Sequence, residues 1–112
     1  MKYETIIPIP REEAEHILRY GSSEAIPSTL IRLAYFEKDW RWVQEVCITL
    51  SVHMDKWVRR ACATCIGHIA RIHGEIDRSK VEPILERLLQ DPDVRGYAQD
   101  TLDDLMVFLS KR

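Results

Sequence analysis

The sequence contains no uninterrupted apolar run of the length, about 18 residues, that a membrane span needs. Its first ten residues, MKYETIIPIP, include one lysine but no apolar segment long enough for a signal peptide. Cysteine is scarce as well: there are three, an odd number, and their spacing is not that of a disulfide framework. We therefore expect a cytoplasmic protein in a reducing compartment, without contact with a membrane.

Signals for β-structure and for common catalytic sites are also missing. No hairpin-type turn dipeptide and no strict alternation of apolar and polar residues occurs, so we expect no sheet. There is no glycine-rich phosphate loop, and no serine has the strand–turn–helix setting of a nucleophile. We expect neither an enzyme nor a bound cofactor, metal ion or small-molecule ligand.

The composition is that of an ordinary globular protein. Hydrophobic residues make up 46% and charged residues 30% of 112 residues, which suits one domain covering residues 1–112. The formal net charge of -2 argues against nucleic-acid binding by the protein as a whole.

The stretch from Asp39 to Gly74 carries the strongest helical signal. It predicts two helices that open alike, with Asp39 capping the first and Asp55 the second, each followed by Trp and Val. The apolar residues of the second helix are Val58, Ala61, Cys62, Cys65, Ile66, Ile69, Ala70 and Ile72. A helix that is apolar over most of its surface must be covered on several sides, so it should form the centre of the fold.

Two helices are predicted before this stretch. Residues 1–9 form an extended arm, and the first helix runs from about Pro10 to Tyr20, where Gly21 provides a left-handed C-cap. The second helix begins between Ser22 and Pro27 and ends near Lys38.

Two more helices are predicted after Gly74. Residues 79–82 match a capping box and place Pro83 in the first turn of the fifth helix. Residues 91–95 open the sixth helix, whose apolar stripe is Val94, Ala98, Leu102, Leu105, Met106 and Leu109. The predicted fold is therefore an all-α, compact stack of about six antiparallel helices.

Two groups of residues suggest chemistry but have more ordinary explanations. Cys62 and Cys65 have redox-motif spacing, but they lie within a helix and not at its N-terminus, so we interpret them as small core residues. Cys65, His68 and His73 span more than two helical turns, and no second cluster completes the four ligands of a zinc site.

The fourth helix also carries four cations. Lys56, Arg59, Arg60 and Arg71 could form a nucleic-acid-binding ridge, although nearby acids favour intramolecular ion pairs.

Acidic and tryptophan residues are better candidates for a binding surface. Asp100, Asp103 and Asp104 recur at helical spacing outside the apolar stripe, forming either a solvated face or a surface for a basic partner. Trp40 and Trp42 point about 200° apart on a helix, so one of them should be partly exposed. An exposed tryptophan beside acidic residues would suit an interface hot spot.

An Asp-x-x-Val pattern recurs along the chain. Residues 55–59, DKWVR, and 91–95, DPDVR, are each followed by small or apolar residues at helical spacing and resemble the second helix of a HEAT repeat. The resemblance covers roughly residues 24–110, within a helical region of residues 10–110. It implies helical hairpins that stack because one hairpin alone cannot bury its apolar face. The pairing of the helices stays open, because the third and fourth helices both begin like a second helix.

A closer resemblance rests on DWRWVQ at residues 39–44, CIGHIARIHG at 65–74 and LDD at 102–104. These motifs resemble immunity proteins of bacterial polymorphic toxin systems, including contact-dependent growth inhibition. The resemblance implies an inhibitor that binds the C-terminal domain of one toxin, such as a tRNA-directed ribonuclease, and occludes its active site or substrate-binding surface. Our candidate contacts are Asp39, Trp40, Glu45, Asp100, Asp103 and Asp104. A generic HEAT-type adaptor and a small nucleic-acid-binding module remain the alternatives.

Overall fold

The computed structural model describes residues 6–109, and most of them lie in six α-helices. These are α1 (Arg11–Tyr20), α2 (Ala25–Phe36), α3 (Trp40–Leu50), α4 (Lys56–His73), α5 (Arg78–Leu88) and α6 (Arg95–Leu109). No strand occurs between residues 6 and 109, so the predicted all-α class and number of helices are confirmed. None of the helices in this part of the chain combines the length and hydrophobicity needed to cross a membrane.

The helices form two layers. In the second layer, α4 lies between α2 and α6 and contacts both, and the three helices run in the same direction. For α4 and α6, the direction follows from successive contacts, since Arg60 lies over Tyr97 and Thr101 donates a hydrogen bond to the carbonyl of Ala63. For α2 and α4, it follows because Cys65 contacts the carbonyl of Leu30 and, one turn later, the His68 ring contacts Tyr35. Helices α1, α3 and α5 form the first layer, and α3 and α5 both contact α4. Consecutive helices therefore pair as α1 with α2, α3 with α4, and α5 with α6.

Helix α4 is the centre of this arrangement, as predicted. Its buried residues are Val58, Cys62, Ala63, Cys65, Ile66, Gly67, Ile69 and Ala70. Gly67 brings α6 close, because a Cβ there would lie 3.5 Å from both Asp104 Oδ2 and Thr101 Oγ1. The prediction that Ile72 is buried is wrong, because Ile72 lies in the last turn of α4 and is exposed.

Local hydrogen bonds explain where the central helices begin and end. The N–H of Trp42 donates to Asp39 Oδ1 at 3.2 Å, and the N–H of Trp57 donates to Asp55 Oδ1 at 2.7 Å, which confirms both predicted caps. Gly74 ends α4 in the left-handed conformation, with φ of 67°.

The left-handed C-cap predicted at Gly21 is wrong. Gly21 has φ of -73° and ψ of 169°, which is extended backbone. Its N–H donates to the carbonyl oxygen of Ile17 at 2.6 Å, and a Cβ at this position would lie 2.5 Å from that oxygen. Glycine is therefore required here by close approach and not by a positive φ.

Two predictions about α5 are also wrong. The helix begins at Arg78 with Asp77 as N-cap residue, so Ser79 lies inside the first turn and no capping box forms. The Ser79 hydroxyl donates to Asp77 Oδ1 at 2.8 Å. Because the helix begins earlier than predicted, Pro83 lies in its second turn and removes one intrahelical hydrogen bond there.

The apolar stripe of α6 differs from the prediction at one position. Ala98, Thr101 and Leu105 face inwards, while Met106 is 65% exposed. Thr101 can occupy a buried position because its hydroxyl donates to the Ala63 carbonyl at 2.7 Å. A pattern based on hydrophobicity alone therefore placed Met106 on the buried side of α6 and left out Thr101, which lies there.

The N-terminal arm is attached to α2. The guanidinium group of Arg32 donates to the carbonyls of Ile7 and Pro8, both at 2.9 Å, and Ile9 is buried. The part of the predicted arm before Ile6 lies outside the described residues. Helix α2 begins at Ala25, whose N–H donates to Ser22 Oγ at 3.0 Å, and it ends at Phe36.

Candidate partner-binding surface

The six predicted contacts fall into two groups on different layers. Asp39, Trp40 and Glu45 lie at the start and in the middle of α3, whereas Asp100, Asp103 and Asp104 lie on α6. Helices α3 and α6 do not contact each other. The structure therefore does not bring the six residues together into one site.

The α3 group is engaged within the molecule. Asp39 caps α3, and its Oδ2 lies 3.3 Å from Arg11 Nη1. Glu45 Oε1 lies 3.1 Å from Lys80 Nζ on α5. Both carboxylates therefore already have cationic partners, although these ion pairs are exposed to solvent and weak.

Both tryptophans of α3 are half-buried and pack against the core. An arginine lies over each ring: the guanidinium carbon of Arg41 is 4.5 Å from the Trp40 ring centroid, and that of Arg11 is 4.0 Å from the Trp42 centroid. Neither ring is the freely exposed tryptophan that an interface hot spot beside Asp39 would offer.

An open groove of about 360 Å³ lies between α1 and α3. Its lining residues are Glu15, Leu18, Arg19, Trp42, Glu45, Val46, Thr49 and Leu50. Of the predicted contacts, only Glu45 lines this groove.

The α6 group is free of ion pairs with any residue between Ile6 and Leu109. Asp103 Oδ1 accepts a hydrogen bond from Gln99 Nε2 at 3.1 Å. Asp100 and Asp104 are one turn apart and face α4, where they line a cleft of about 240 Å³. These carboxylates are available to a partner without loss of an internal ion pair.

The α4 wall of this cleft is formed by Thr64, His68 and Arg71. Arg71 Nη2 lies 2.7 Å from His68 Nδ1. Partial burial lowers the pKa of His68, the Arg71 cation lowers it further, and the Asp104 carboxylate opposes both effects. The cleft therefore contains carboxylates beside an arginine and a histidine that tends to be neutral.

Trp57, Arg60 and Tyr97 form a further group on this side, which the sequence did not predict as a group. Trp57 is 54% exposed and Tyr97 is 37% exposed, and the Arg60 side chain lies between them. The guanidinium carbon of Arg60 is 4.7 Å from the Trp57 ring centroid and 5.0 Å from the Tyr97 centroid. We call these three residues the aromatic–arginine stack. Trp57 and Arg60 share a helical face in the sequence, but nothing in the sequence places Tyr97 beside them.

The stack borders a second cleft, of about 490 Å³, that continues from the first. Its lining residues are Arg60, Pro92, Asp93, Gly96, Tyr97 and Asp100. Because Tyr97 and Asp100 line both clefts, the two clefts form one continuous surface from Trp57 to Arg71. We call this surface the α4–α6 face.

Of the four cations of α4, Arg59 forms the intramolecular ion pair that the sequence favours, whereas Arg60 and Arg71 contact uncharged groups. Arg59 Nε lies 2.8 Å from Asp91 Oδ2, Arg60 Nε donates to the carbonyl of Asp93, and Arg71 contacts His68. A row of free cations, which a nucleic-acid-binding ridge would need, is therefore not presented.

The three cysteines are reduced and buried. Burial raises the pKa of Cys62 far above the ordinary range, and a hydrogen bond with Cys65, together with burial, raises that of Cys47. Such thiols stay protonated and act as small core residues. Between Ile6 and Leu109, no three His, Cys, Asp or Glu residues are grouped so that they could hold a metal ion.

The chain has a layered all-α fold, with aromatic, arginine and carboxylate side chains together on the α4–α6 face. No protein-family model matches the chain, and no curated protein sequence matches it. Among solved structures, it matches a chain in the crystal structure of a CDI complex from Cupriavidus taiwanensis LMG 19424. The two chains are 35% identical with a TM-score of 0.84, and the match covers 96% of this chain and 97% of the other. The chain therefore belongs to the immunity-protein family of contact-dependent growth inhibition (CDI) systems that its motifs resemble.

Proposed function

We propose that this chain is an immunity protein that binds the C-terminal toxin domain of its own CDI system and neutralises it, without catalysing a reaction. The single observation that carries the proposal is the 35% identity to a chain of a CDI complex over nearly the whole length of both chains. The chain would act in the cytoplasm as one domain, and its buried, unpaired cysteines suit a reducing compartment.

The free carboxylates of α6 support a nuclease as the toxin. A nuclease binds its substrate through a basic surface, because nucleic-acid binding depends on contacts with phosphates. Asp100, Asp103 and Asp104 form no ion pair with any residue between Ile6 and Leu109. We propose that they bind the basic surface of a nuclease, such as a tRNA-directed ribonuclease, and block its active site or substrate-binding surface.

The α3 group forms a second, peripheral part of this proposal. Asp39 and Glu45 would have to exchange their present partners, Arg11 and Lys80, for groups on the toxin. An exposed ion pair contributes only about 0–1 kcal/mol, so this exchange is feasible but adds little affinity. Trp40 would contribute only the part of its ring that is not packed against the core.

Rescue and binding experiments test the proposal. Cells that express the toxin domain encoded directly upstream of this gene should survive when they also express this protein, whereas a generic adaptor would give no rescue. The purified D103K/D104K variant should bind that domain at least about tenfold more weakly than the wild type, because two attractive contacts become repulsive. The matched control is E12K/E13K, which reverses two adjacent exposed acids on α1 and should bind within about threefold of the wild type.

The outcomes separate function from site. Absence of both rescue and binding would contradict the immunity function itself. Rescue with unchanged affinity of D103K/D104K would remove the acidic surface of α6 from the toxin interface and leave the function in place.

A further inference from the structure

We propose that the aromatic–arginine stack is the anchor of the toxin interface, and that Arg60 receives a carboxylate from a toxin loop whose basic residues meet Asp100. This inference rests on the proposed function and adds to it a set of contact residues and the chemistry of the group they bind.

Both aromatic rings of the stack are exposed to solvent. Trp57 leaves more than half of its surface in solvent, and Tyr97 leaves over a third. Large aromatic side chains contribute strongly to binding when an interface removes them from water. Together with arginine they are the residue types in which interface hot spots are enriched.

The Arg60 side chain is preorganised by its neighbours. Trp57 and Arg60 lie one turn apart on α4, and the Tyr97 ring of α6 also lies against the guanidinium group. The Arg60 Nε donates to the carbonyl oxygen of Asp93, which fixes the side chain at a third point. An arginine held in this way loses less rotamer freedom on binding than a free surface arginine.

The free hydrogen-bond donors of Arg60 indicate which group the stack would bind. The Arg60 Nε is occupied by Asp93, whereas no residue between Ile6 and Leu109 accepts a hydrogen bond from its terminal nitrogens. Two terminal N–H groups of a planar guanidinium match the two oxygens of a carboxylate. Arg60 therefore suits an aspartate or glutamate of the partner.

The surrounding charge favours a protein over a nucleic acid. Asp93 and Asp100 line the cleft beside Arg60, and Asp104 lies one turn beyond Asp100. A phosphate backbone that followed this face would meet three carboxylates and two arginines, Arg60 and Arg71, and this excess of negative charge disfavours binding. A protein surface can place a carboxylate opposite Arg60 and cations opposite Asp100 at the same time.

The test is calorimetric binding of the purified toxin domain encoded upstream of this gene to the full-length protein and its variants. We expect R60A and W57A each to weaken binding at least about tenfold, as hot-spot truncations do. R60K should also weaken binding, because lysine keeps the charge but loses the planar stacking and the paired N–H groups. Y97A provides a third variant of the same stack should one of the others not fold, and circular dichroism verifies the fold of each.

Two controls match the chemistry on the opposite layer. R78A removes an exposed arginine from α5, and Y20A removes an exposed aromatic ring from α1. Both should bind within about threefold of the wild type, because neither residue lies on the α4–α6 face.

Each possible result has a defined meaning. Tight binding of the wild type with R60A and W57A within threefold of it would overturn the anchor and leave the immunity function standing. Wild-type affinity of R60K would show that charge alone matters and would overturn the role of the stack. Absence of wild-type binding and rescue would overturn the proposed function and this inference with it. Binding of a labelled single-stranded RNA that R60A abolishes would assign the face to nucleic acid and overturn the inference.

Discussion

Arg59 and Arg60 are adjacent in the sequence but have different roles. Arg59 Nε lies 2.8 Å from Asp91 Oδ2, and both side chains are largely shielded, at 17% and 22% exposure. Its Nη1 donates to the carbonyls of His53 and Met54 at 2.9 and 2.8 Å. Arg59 therefore connects the loop before α4 to the loop before α6. Arg60, one position later, belongs to the aromatic–arginine stack.

Asp91 makes the stability of the protein decrease at acidic pH. Burial acts to raise the pKa of Asp91, but the N–H of Asp93 and the Arg59 guanidinium more than offset it, so the net shift is downwards. A carboxyl group whose pKa is lower in the folded state stabilises the protein fully above its unfolded pKa, about 3.9. This contribution is lost as the pH falls through the lower, folded value.

We therefore expect D91N to lower the free energy of unfolding by about 1–3 kcal/mol at neutral pH, because a hydrogen bond to a charged group is lost. The difference from the wild type should shrink when unfolding by urea is measured below about pH 3. D103N, which removes a carboxylate without an ion pair, is the control and should change stability little at either pH. An equal loss of stability for D91N at both pH values would contradict the role assigned to Asp91.

At the scale of the helices, local sequence signals predicted a helix end correctly only where no residue from another helix contributes to that end. The Asp39 and Asp55 caps and the left-handed Gly74 form from bonds within a few residues, so the sequence could specify them. The start of α5 was misplaced because Gln44 of α3 accepts a hydrogen bond from the N–H of Asp77 at 2.8 Å. This hydrogen bond between the two layers satisfies a backbone N–H at the start of α5, in place of the predicted Ser79 cap. The sequence of α5 alone does not indicate it.

Substitution by alanine should change the stability of the protein in opposite directions at Gly74 and at Gly96. Gly74 has φ of 67°, where an L-residue is strained, so G74A should lower the free energy of unfolding by about 1 kcal/mol. Gly96 lies in α6 without a positive φ, and a Cβ there would meet nothing within 4 Å, so G96A should raise it by about 0.5 kcal/mol. Thermal unfolding by calorimetry compares both variants with the wild type. Equal effects of the two substitutions would contradict the helix ends described above.

The central position of α4 can be tested by one buried charge. Val58 is completely buried in the first turn of α4, so V58D places an unpaired carboxylate in the core and should unfold the protein or cost at least about 3 kcal/mol. V52D makes the same change at an exposed position before α4 and should cost less than about 0.5 kcal/mol. Melting followed by circular dichroism compares them, and a melting temperature of V58D within a few degrees of the wild type would contradict the burial of α4.

At the scale of the whole molecule, the sequence could predict the elements but not which of their faces meet. Helical periodicity predicted six helices and the buried side of α4, because these depend on spacing along one element. The candidate site depends on neighbours in space. Tyr97 reaches Arg60 only because α4 and α6 lie side by side and run in the same direction. The exposure of Trp40 also depends on neighbours in space, since the ring is partly exposed and packs against the core.

The distribution of charge over the two layers leads to a kinetic prediction. Asp100, Asp103 and Asp104 form no ion pair within residues 6–109, so their field should speed the encounter with a basic toxin surface. Raising the salt concentration from about 0.1 M to about 1 M shortens the screening length from about 10 Å to about 3 Å. The association rate constant of the wild type, measured by stopped-flow mixing with the toxin domain, should therefore fall by about tenfold, while the dissociation rate constant changes less.

The D103K/D104K variant should start with a lower association rate constant and a flatter salt dependence, whereas E12K/E13K should follow the wild type. An association rate constant that is independent of salt in the wild type would exclude electrostatic steering and would leave the aromatic–arginine stack to account for recognition.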